Sequence, residues 1–310
     1  MNASVEYLAA RQVADNHALN ESVFQTFEAA IQRLEGDSAN PLHIVEVGGG
    51  IGTMVVRLLI RGVLRGDVNY RLIDRDPACI GAAREWLPAQ LRSHGYTVTR
   101  TETEIVVQGG ETDATDSLKG LTLELETVDA FSTRRTNPAV DCVIGSALFD
   151  IVSLDRAIPW IESALQPSGI LYAPLTYNGR TKFMPGDPYD RSIEREYHRH
   201  MDEVRATPGG SEAGQDLSRR IEQSDVLALE ALGGSNWEID AGDGREQLVV
   251  IDTVLDIIES ALGDLRDSPL NERDHDRWIA RRRQELYQAE LRLHASHLDL
   301  LGRKTNHSTR

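Results

Sequence analysis

Cysteine is almost missing from this chain. Cys79 and Cys142 are its only two, far apart and in no paired motif. That excludes a disulfide scaffold, a zinc knuckle and a redox dithiol, and both residues are expected to be small packing groups. Lysine is nearly as scarce, with Lys119, Lys182 and Lys304 set against an otherwise all-arginine complement. No apolar run approaches the roughly 18 residues a bilayer span needs, and residues 1–11 lack a basic start followed by an apolar stretch. A soluble, cytoplasmic protein is therefore expected. Positive charge is also outweighed, 33 basic residues facing 49 acidic ones for a formal charge of -16. No basic patch suited to a phosphate backbone stands out, so nucleic acid is not an expected partner. The arginine bias and acidic balance read as a halophile-like surface, where hydration persists although salt screens charge over a few ångströms.

What is present is alternation. The 310 residues suit one core domain with additions. Residues 4–35 carry apolar positions at helical spacing and form an expected amino-terminal helical cap, residues 1–42. A short β-branched stretch, 43–47, then runs into three glycines and the apolar residues 54–64, which reads as strand, tight turn and helix. Residues 70–74 predict a second strand, 77–95 its helix with Pro77 in the first turn, and 121–128 a third strand. Between them, about 96–116 reads as an inserted hairpin. A fourth strand at 140–144, a helix at 154–165 and a fifth strand at 170–174 complete a pattern that implies a parallel sheet.

Beyond it, 177–214 is taken as an insertion on the substrate side. Its parts are a glycine- and proline-rich stretch to 188, a helix at 189–204 and a flexible linker at 207–214. Strand-like segments at 226–232 and 237–239 are expected to close the sheet as a hairpin. Helices are expected at 247–262 and 271–301, giving a carboxyl-terminal helical extension over 243–310 with a polar tail from Lys304. The core is thus placed at 43–242.

The chemistry gathers at one turn. Residues 45–53 read Val-Glu-Val-Gly-Gly-Gly-Ile-Gly-Thr, an acidic residue followed by glycines at alternate positions. Glycine there permits positive φ and removes the Cβ atoms that would block a nucleotide-like ligand. The dinucleotide fingerprint needs another glycine where Thr53 stands, which disfavours a nicotinamide cofactor. Asp74 ends the second strand, where a carboxylate can accept from both ribose hydroxyls. Asp129, Ala130 and Phe131 follow the third, offering an acceptor for an adenine amino group and an apolar wall. All fall on the carboxyl edge of the sheet, where open parallel sheets bind ligands.

In these residues the sequence resembles the class I S-adenosylmethionine-dependent methyltransferase superfamily over roughly 43–240. The glycine turn looks like its first motif, 72–77 its ribose motif, 128–131 its adenine motif and 140–147 its fourth strand. The resemblance implies a three-layer Rossmann-like α/β fold with a mainly parallel seven-stranded sheet, S-adenosylmethionine (SAM) as cofactor, and methyl transfer. It further implies that Glu46, Gly48 and Gly50 face the methionine part, Asp74 the ribose, with Asp76 able to share that role, Asp129 and Ala130 the adenine, and Ser146 the sulfonium side.

Departures narrow the acceptor. The acid-or-amide, proline, proline, aromatic signature of base-amino methylation is replaced by Gly145-Ser146-Ala147-Leu148, and no cysteine nucleophile follows that strand. A small molecule or an exposed side chain, methylated on oxygen or nitrogen, is the expected acceptor. A non-catalytic SAM-binding sensor or subunit and a Rossmann oxidoreductase are the alternatives. Residues on the acceptor side are expected among Phe149, Asp150, Tyr177, Asn178, Tyr197, His198 and His200. No metal site is proposed, because His198 and His200 do not share a helix face and His294 and His297 lack a partner acid or thiolate. The terminal helices are expected to cover the pocket, with Tyr7 or Arg11 reaching the SAM carboxylate.

Overall fold

The computed structural model describes residues 5–37, 40–101, 103–109, 118–132, 139–205 and 209–306. Two helices come first, α1 (Val5–Ala18) and α2 (Glu21–Asp37). Then follow β1 (Leu42–Val47), α3 (Thr53–Ile60), β2 (Asp67–Asp74) and α4 (Pro77–Ser93). The hairpin β3 (Thr97–Arg100) and β4 (Glu104–Gln108) leads to β5 (Gly120–Thr127), β6 (Val140–Ile144), α5 (Leu154–Ala164) and the long β7 (Leu165–Met184). The remainder is α6 (Asp190–Arg199), α7 (Ala213–Glu222), β8 (Leu227–Gly234), β9 (Trp237–Asp240), α8 (Arg245–Gly263), α9 (Glu272–Tyr287) and β10 (Arg292–Lys304).

These strands form one sheet in the order β3-β4-β5-β2-β1-β6-β7-β10-β8, with β9 also on β10. The fold is the expected three-layer α/β arrangement, but the sheet has ten strands where seven were expected. Seven of them, from β5 across to β8, make the expected core. The hairpin adds β3 and β4 by antiparallel pairing onto β5, and β9 supplies the tenth. Residues 110–116, read as part of that insertion, lie outside the described residues.

Of the parallel strands β5, β2, β1, β6 and β7, β1, β6 and the middle of β7 are buried on both faces, whereas β2 and β5 alternate buried with half-buried or exposed residues. Period-two alternation divides their side chains. Ile44, Tyr70, Leu72 and Ile144 join a core with Phe24, Phe27 and Ile31 of α2 and Leu87 of α4. Val45, Val47, Ile73 and Val143 join the opposite core with Ile158 and Ile161 of α5 and Leu217 of α7. Glu46 falls on the first face, which is what places a carboxylate inside the molecule.

The carboxyl end departs most from expectation. No helix runs from 271 to 301: α9 stops at Tyr287, and residues 292–304 are a strand threaded between β7 and β8. The extension over 243–310 is therefore two helices followed by a core strand. Leu293, Ala295, His297 and Asp299 are buried in alternation with half-buried His294, Ser296 and Leu298, a two-residue period that excludes a helix. The break falls at Ala289, which takes φ +55°, with Glu290 N–H donating to Glu285 O at 2.9 Å. This is the left-handed ending that glycine usually supplies. Leu293 and Leu301 are accordingly strand core residues, whereas Trp278 and Leu286 do pack from α9.

Other boundaries move too. Residues 177–184 continue β7, with a bulge at Asn178 and Gly179. The helix expected at 189–204 is α6 followed by a π-helical turn at His200–Val204. The linker expected at 207–214 contains the start of α7, residues 207 and 208 being outside the described set. β8 and β9 do not pair as a hairpin; they lie end to end along β10, opposite Leu298–Lys304 and Arg292–Ala295. Lys304 belongs to β10, where its Nζ donates to the carbonyls of Glu162 and Leu165, and 307–310 lie outside the described residues. Among the described residues, no helix is long and apolar enough to cross a membrane.

Candidate functional site

At the carboxyl end of β1 the chain must turn sharply into α3. Gly48, Gly50 and Gly52 take φ of +68°, +56° and +87°, conformations that cost an L side chain roughly 1–2 kcal/mol each. The loop is clamped to the neighbouring strand: Gly48 and Gly49 N–H groups both donate to Ile73 O, at 2.8 and 3.2 Å. Gly50 N–H donates to Asp74 Oδ2 at 2.9 Å. The other Asp74 oxygen accepts from Asp76 N at 2.8 Å, and Asp76 in turn caps α4 by accepting from Ala78 N at 2.9 Å. Asp74 thus fixes the glycine loop as well as bordering the space beside it.

Two further strand ends reach the same edge. After β5, Asp129 accepts from Phe131 N at 3.1 Å and sits 3.9 Å from Arg156, half-exposed. The Phe131 ring meets Trp160 edge-on at 5.6 Å, which fixes the ring beside Ala130. After β6, Ala147 is held at φ +48° by donating to Pro174 O at 2.9 Å, setting Ser146 at the lip of the turn.

These ends enclose a cavity of about 430 Å³. Glu46, Gly48, Gly50, Asp74, Asp76, Asp129, Ala130 and Ser146 all border it, so the cavity gathers every residue the first-motif, ribose, adenine and fourth-strand segments nominate. Glu46 is 2% exposed and accepts from the Tyr70 hydroxyl at 2.8 Å. Burial pushes its carboxyl up to about 8, against the downward pull of Tyr70 and Arg57.

The opposite wall comes from elements remote in sequence. Tyr7 and Arg11 of α1 border the cavity, so the first helix forms part of that wall. Arg11 is engaged with Asp15 (Nε to Oδ2, 3.0 Å), and Trp237 Nε1 donates to the same carboxylate at 3.0 Å. Asp150, Tyr177 and Tyr197 also border it. Phe149, Asn178, His198 and His200 do not. Phe149 packs in the core behind Gly145, and Asn178 accepts from Gln215 N at 3.2 Å. His198 stands behind Tyr177, 2.8 Å from its hydroxyl, and His200 pairs with Asp264 at 3.3 Å.

Sequence reasoning missed Arg205, Trp237 and His297, all of which border the cavity. The signal for His297 is the period-two pattern of β10. His297 is 7% exposed and packs on Trp237 at 5.0 Å and Tyr177 at 5.9 Å, its Nδ1 without a hydrogen-bond partner among the described residues. Burial and the nearby Arg11 charge depress its pKa to about 4, so the ring is neutral at physiological pH.

No protein-family model matches the sequence, and no curated protein matches it. Several solved structures are similar in fold. A SAM-dependent methyltransferase from Thiobacillus denitrificans, in complex with S-adenosyl-L-homocysteine, matches at TM-score 0.45 and 11% identity, covering 96% of this chain and 99% of that one. A phosphoethanolamine N-methyltransferase from Haemonchus contortus matches at 0.41 and 11%, over 91% of this chain and 53% of that one. This chain therefore spans about half the length of the Haemonchus protein. Geranyl diphosphate C-methyltransferase from Streptomyces coelicolor matches at 0.39 and 12%, over 89% and 78%. These likenesses are loose, and what the cavity does is read from its own residues.

Proposed function

We propose that this cavity binds SAM and that the chain transfers its methyl group to a small molecule or an exposed side chain. The observation that carries the reading is the convergence of a glycine turn, a buried glutamate and the acids of two neighbouring strand ends on one cavity. Its volume lies in the usual small-molecule range of roughly 300–1,000 Å³. The donor set fits the cofactor: Asp74 and Asp76 have oxygens for ribose hydroxyls, Asp129 an acceptor for the adenine amino group, and Phe131 with Ile73 and Val128 an apolar slot for the ring. Glu46 supplies a buried partner for the amino group of the methionine part, and Arg11, on the wall of the same cavity, offers a cation for its carboxylate.

When bound, SAM supplies a methyl group already activated on a sulfonium. The chain's residues then have mainly to orient an acceptor and exclude water, since holding reactants in line can provide most of the rate. Tyr7 and Leu8 of α1 wall the cavity, and Ser146 borders it beside the glycine turn.

Isothermal calorimetry with S-adenosylhomocysteine (SAH), NAD and NADP tests the reading. Binding of SAH alone is expected. Binding of a nicotinamide nucleotide in its place turns the reading toward an oxidoreductase. Transfer of labelled methyl from SAM onto any component of a cell extract separates the enzyme from a non-catalytic binder.

A further inference from the structure

We infer that the methyl acceptor is an uncharged aromatic hydroxy compound, its ring held among Tyr177, Tyr197 and Trp237 and its hydroxyl bonded to Nε2 of His297. The inference rests on the SAM reading above, because it assigns the cavity wall which that reading leaves free.

His297 has bonding capacity to spare. It is 7% exposed and borders the cavity. Its Nδ1 is sealed inside the protein without a partner. Nε2 has no hydrogen-bond partner among the described residues either, but it is not sealed, so it is the atom of the ring that meets the open space. A nitrogen left unbonded in so buried a ring is costly, and a ligand hydroxyl in the cavity relieves that cost. The ring is also held in place. Strand β10 fixes its backbone, and Trp237 at 5.0 Å and Tyr177 at 5.9 Å flank it.

Most of the other polar groups of this wall are engaged. The Tyr177 hydroxyl lies 2.8 Å from both Thr181 Oγ1 and His198 Nε2. Trp237 Nε1 donates to Asp15, which also accepts from Arg11. Arg205 donates through Nη2 to the backbone carbonyl of Asp150, and its unpartnered Nε is sealed away from the cavity. The formal charges of Arg11, Arg205, Asp15 and Asp150 cancel along this wall, and His297 is neutral at physiological pH. A charged acceptor therefore meets no excess of the opposite sign.

With their polar ends pinned, Tyr177 and Trp237 offer the cavity their rings, and Tyr197 with Met201, Ile257 and Leu293 extends the apolar surround. Rings so placed favour a flat aromatic molecule beyond the area it buries. A saturated alcohol would reach His297 but forgo that gain, and an aromatic hydrocarbon would leave Nε2 unmet. An aromatic hydroxyl satisfies both.

The chemistry balances. A lone pair of the hydroxyl oxygen forms the O–CH₃ bond, the S–CH₃ bond breaks with its electron pair left on sulfur, and the hydroxyl proton passes to Nε2 of His297, which returns it to solvent. The positive charge lost by the sulfonium is gained by the imidazole, so the net charge of the cavity does not change in the step.

The test is saturation-transfer NMR at pH 7.5 with SAH present. The probe is p-cresol, against toluene, which lacks the hydroxyl, 4-methylcyclohexanol, which lacks the aromatic ring, and benzoate and benzylammonium, which carry a charge. p-Cresol is expected to bind about tenfold tighter than each of the others. His297→Phe keeps a ring in place and should bring p-cresol within about threefold of toluene, while SAH affinity stays within about threefold of wild type. Toluene or 4-methylcyclohexanol binding as tightly as p-cresol, either charged probe binding more tightly, no p-cresol binding at about 10 mM, or the full preference kept in His297→Phe overturns the inference. Should that variant not fold, the nitrogen-15 resonances of the histidine rings in the wild type decide: p-cresol is expected to shift Nε2 of His297 and toluene to leave it in place, and equal effects overturn the inference. If the wild type does not bind SAH, the cofactor reading falls on its own, and the same comparison on the protein alone still decides whether His297 selects an aromatic hydroxyl.

Discussion

Binding of SAH should depend steeply on pH through a single buried group. Glu46 is 2% exposed, and burial raises its carboxyl from the ordinary 4.5 to about 8. The folded apo protein therefore keeps a proton that the unfolded chain has released. Between about 4.5 and 8 this lowers stability as pH rises. The sign reverses for a ligand whose ammonium group faces Glu46, because that ligand favours the carboxylate and displaces the proton. At pH 6 about 1% of Glu46 is ionised and at pH 8.5 about three quarters, so affinity should rise about 75-fold, or about 2.5 kcal/mol, across that interval. Calorimetry at half-unit steps, in buffers of different ionisation enthalpy, would show both the slope and the released proton. Tyr70→Phe removes the 2.8 Å hydrogen bond that favours the carboxylate, and should move the midpoint upward. Glu46→Gln should flatten the profile. A wild-type affinity that is flat from pH 6 to 8.5 would refute the placement of Glu46 against a ligand cation.

Stability should respond to two buried details of the fold. Gly52→Ala would force an L residue to φ +87° and set its Cβ 2.6 Å from Leu87 Cδ1, so urea denaturation should show a loss of about 2–4 kcal/mol. An unchanged midpoint would mean that the turn is not held as described. Asp299, fully buried on β10, accepts from Asn20 N and Leu175 N, both at 2.8 Å, and so ties the last strand to the start of α2 and to β7. Asp299→Ala leaves two backbone donors unmet and should cost about 2–5 kcal/mol, whereas exposed Tyr287→Ala should be within about 0.5 kcal/mol of wild type.

How much of this is legible in the sequence depends on which residues do the breaking. The glycine turn, Asp74 and the first four parallel strands are readable because glycine and proline punctuate them and because apolar residues either run together, as in β1 and β6, or alternate with polar ones, as in β2 and β5. The end of α9 is not, since Ala289 takes a left-handed conformation without being glycine, and Leu293, Leu298 and Leu301 mimic helical spacing. β10 therefore reads as helix, and His297 loses its place beside the cavity with it. β7 reads as shorter than it is because Pro174 and Gly179 look like a loop; the strand does bulge there, with Leu175 and Gly179 at positive φ, but its pairing with β10 resumes beyond each bulge. Asp150 and Tyr197 can be nominated from their neighbourhood in sequence. That Arg11 and Arg205 border the cavity with them cannot, because these come from α1 and from the segment after α6.

A crystal structure of the protein with SAH tests the central claim most directly. The adenosyl group should lie over the glycine turn, with its ribose hydroxyls on Asp74 or Asp76 and its adenine between Asp129 and Ile73. SAH bound elsewhere, or those carboxylates turned away from it, would contradict the assignment.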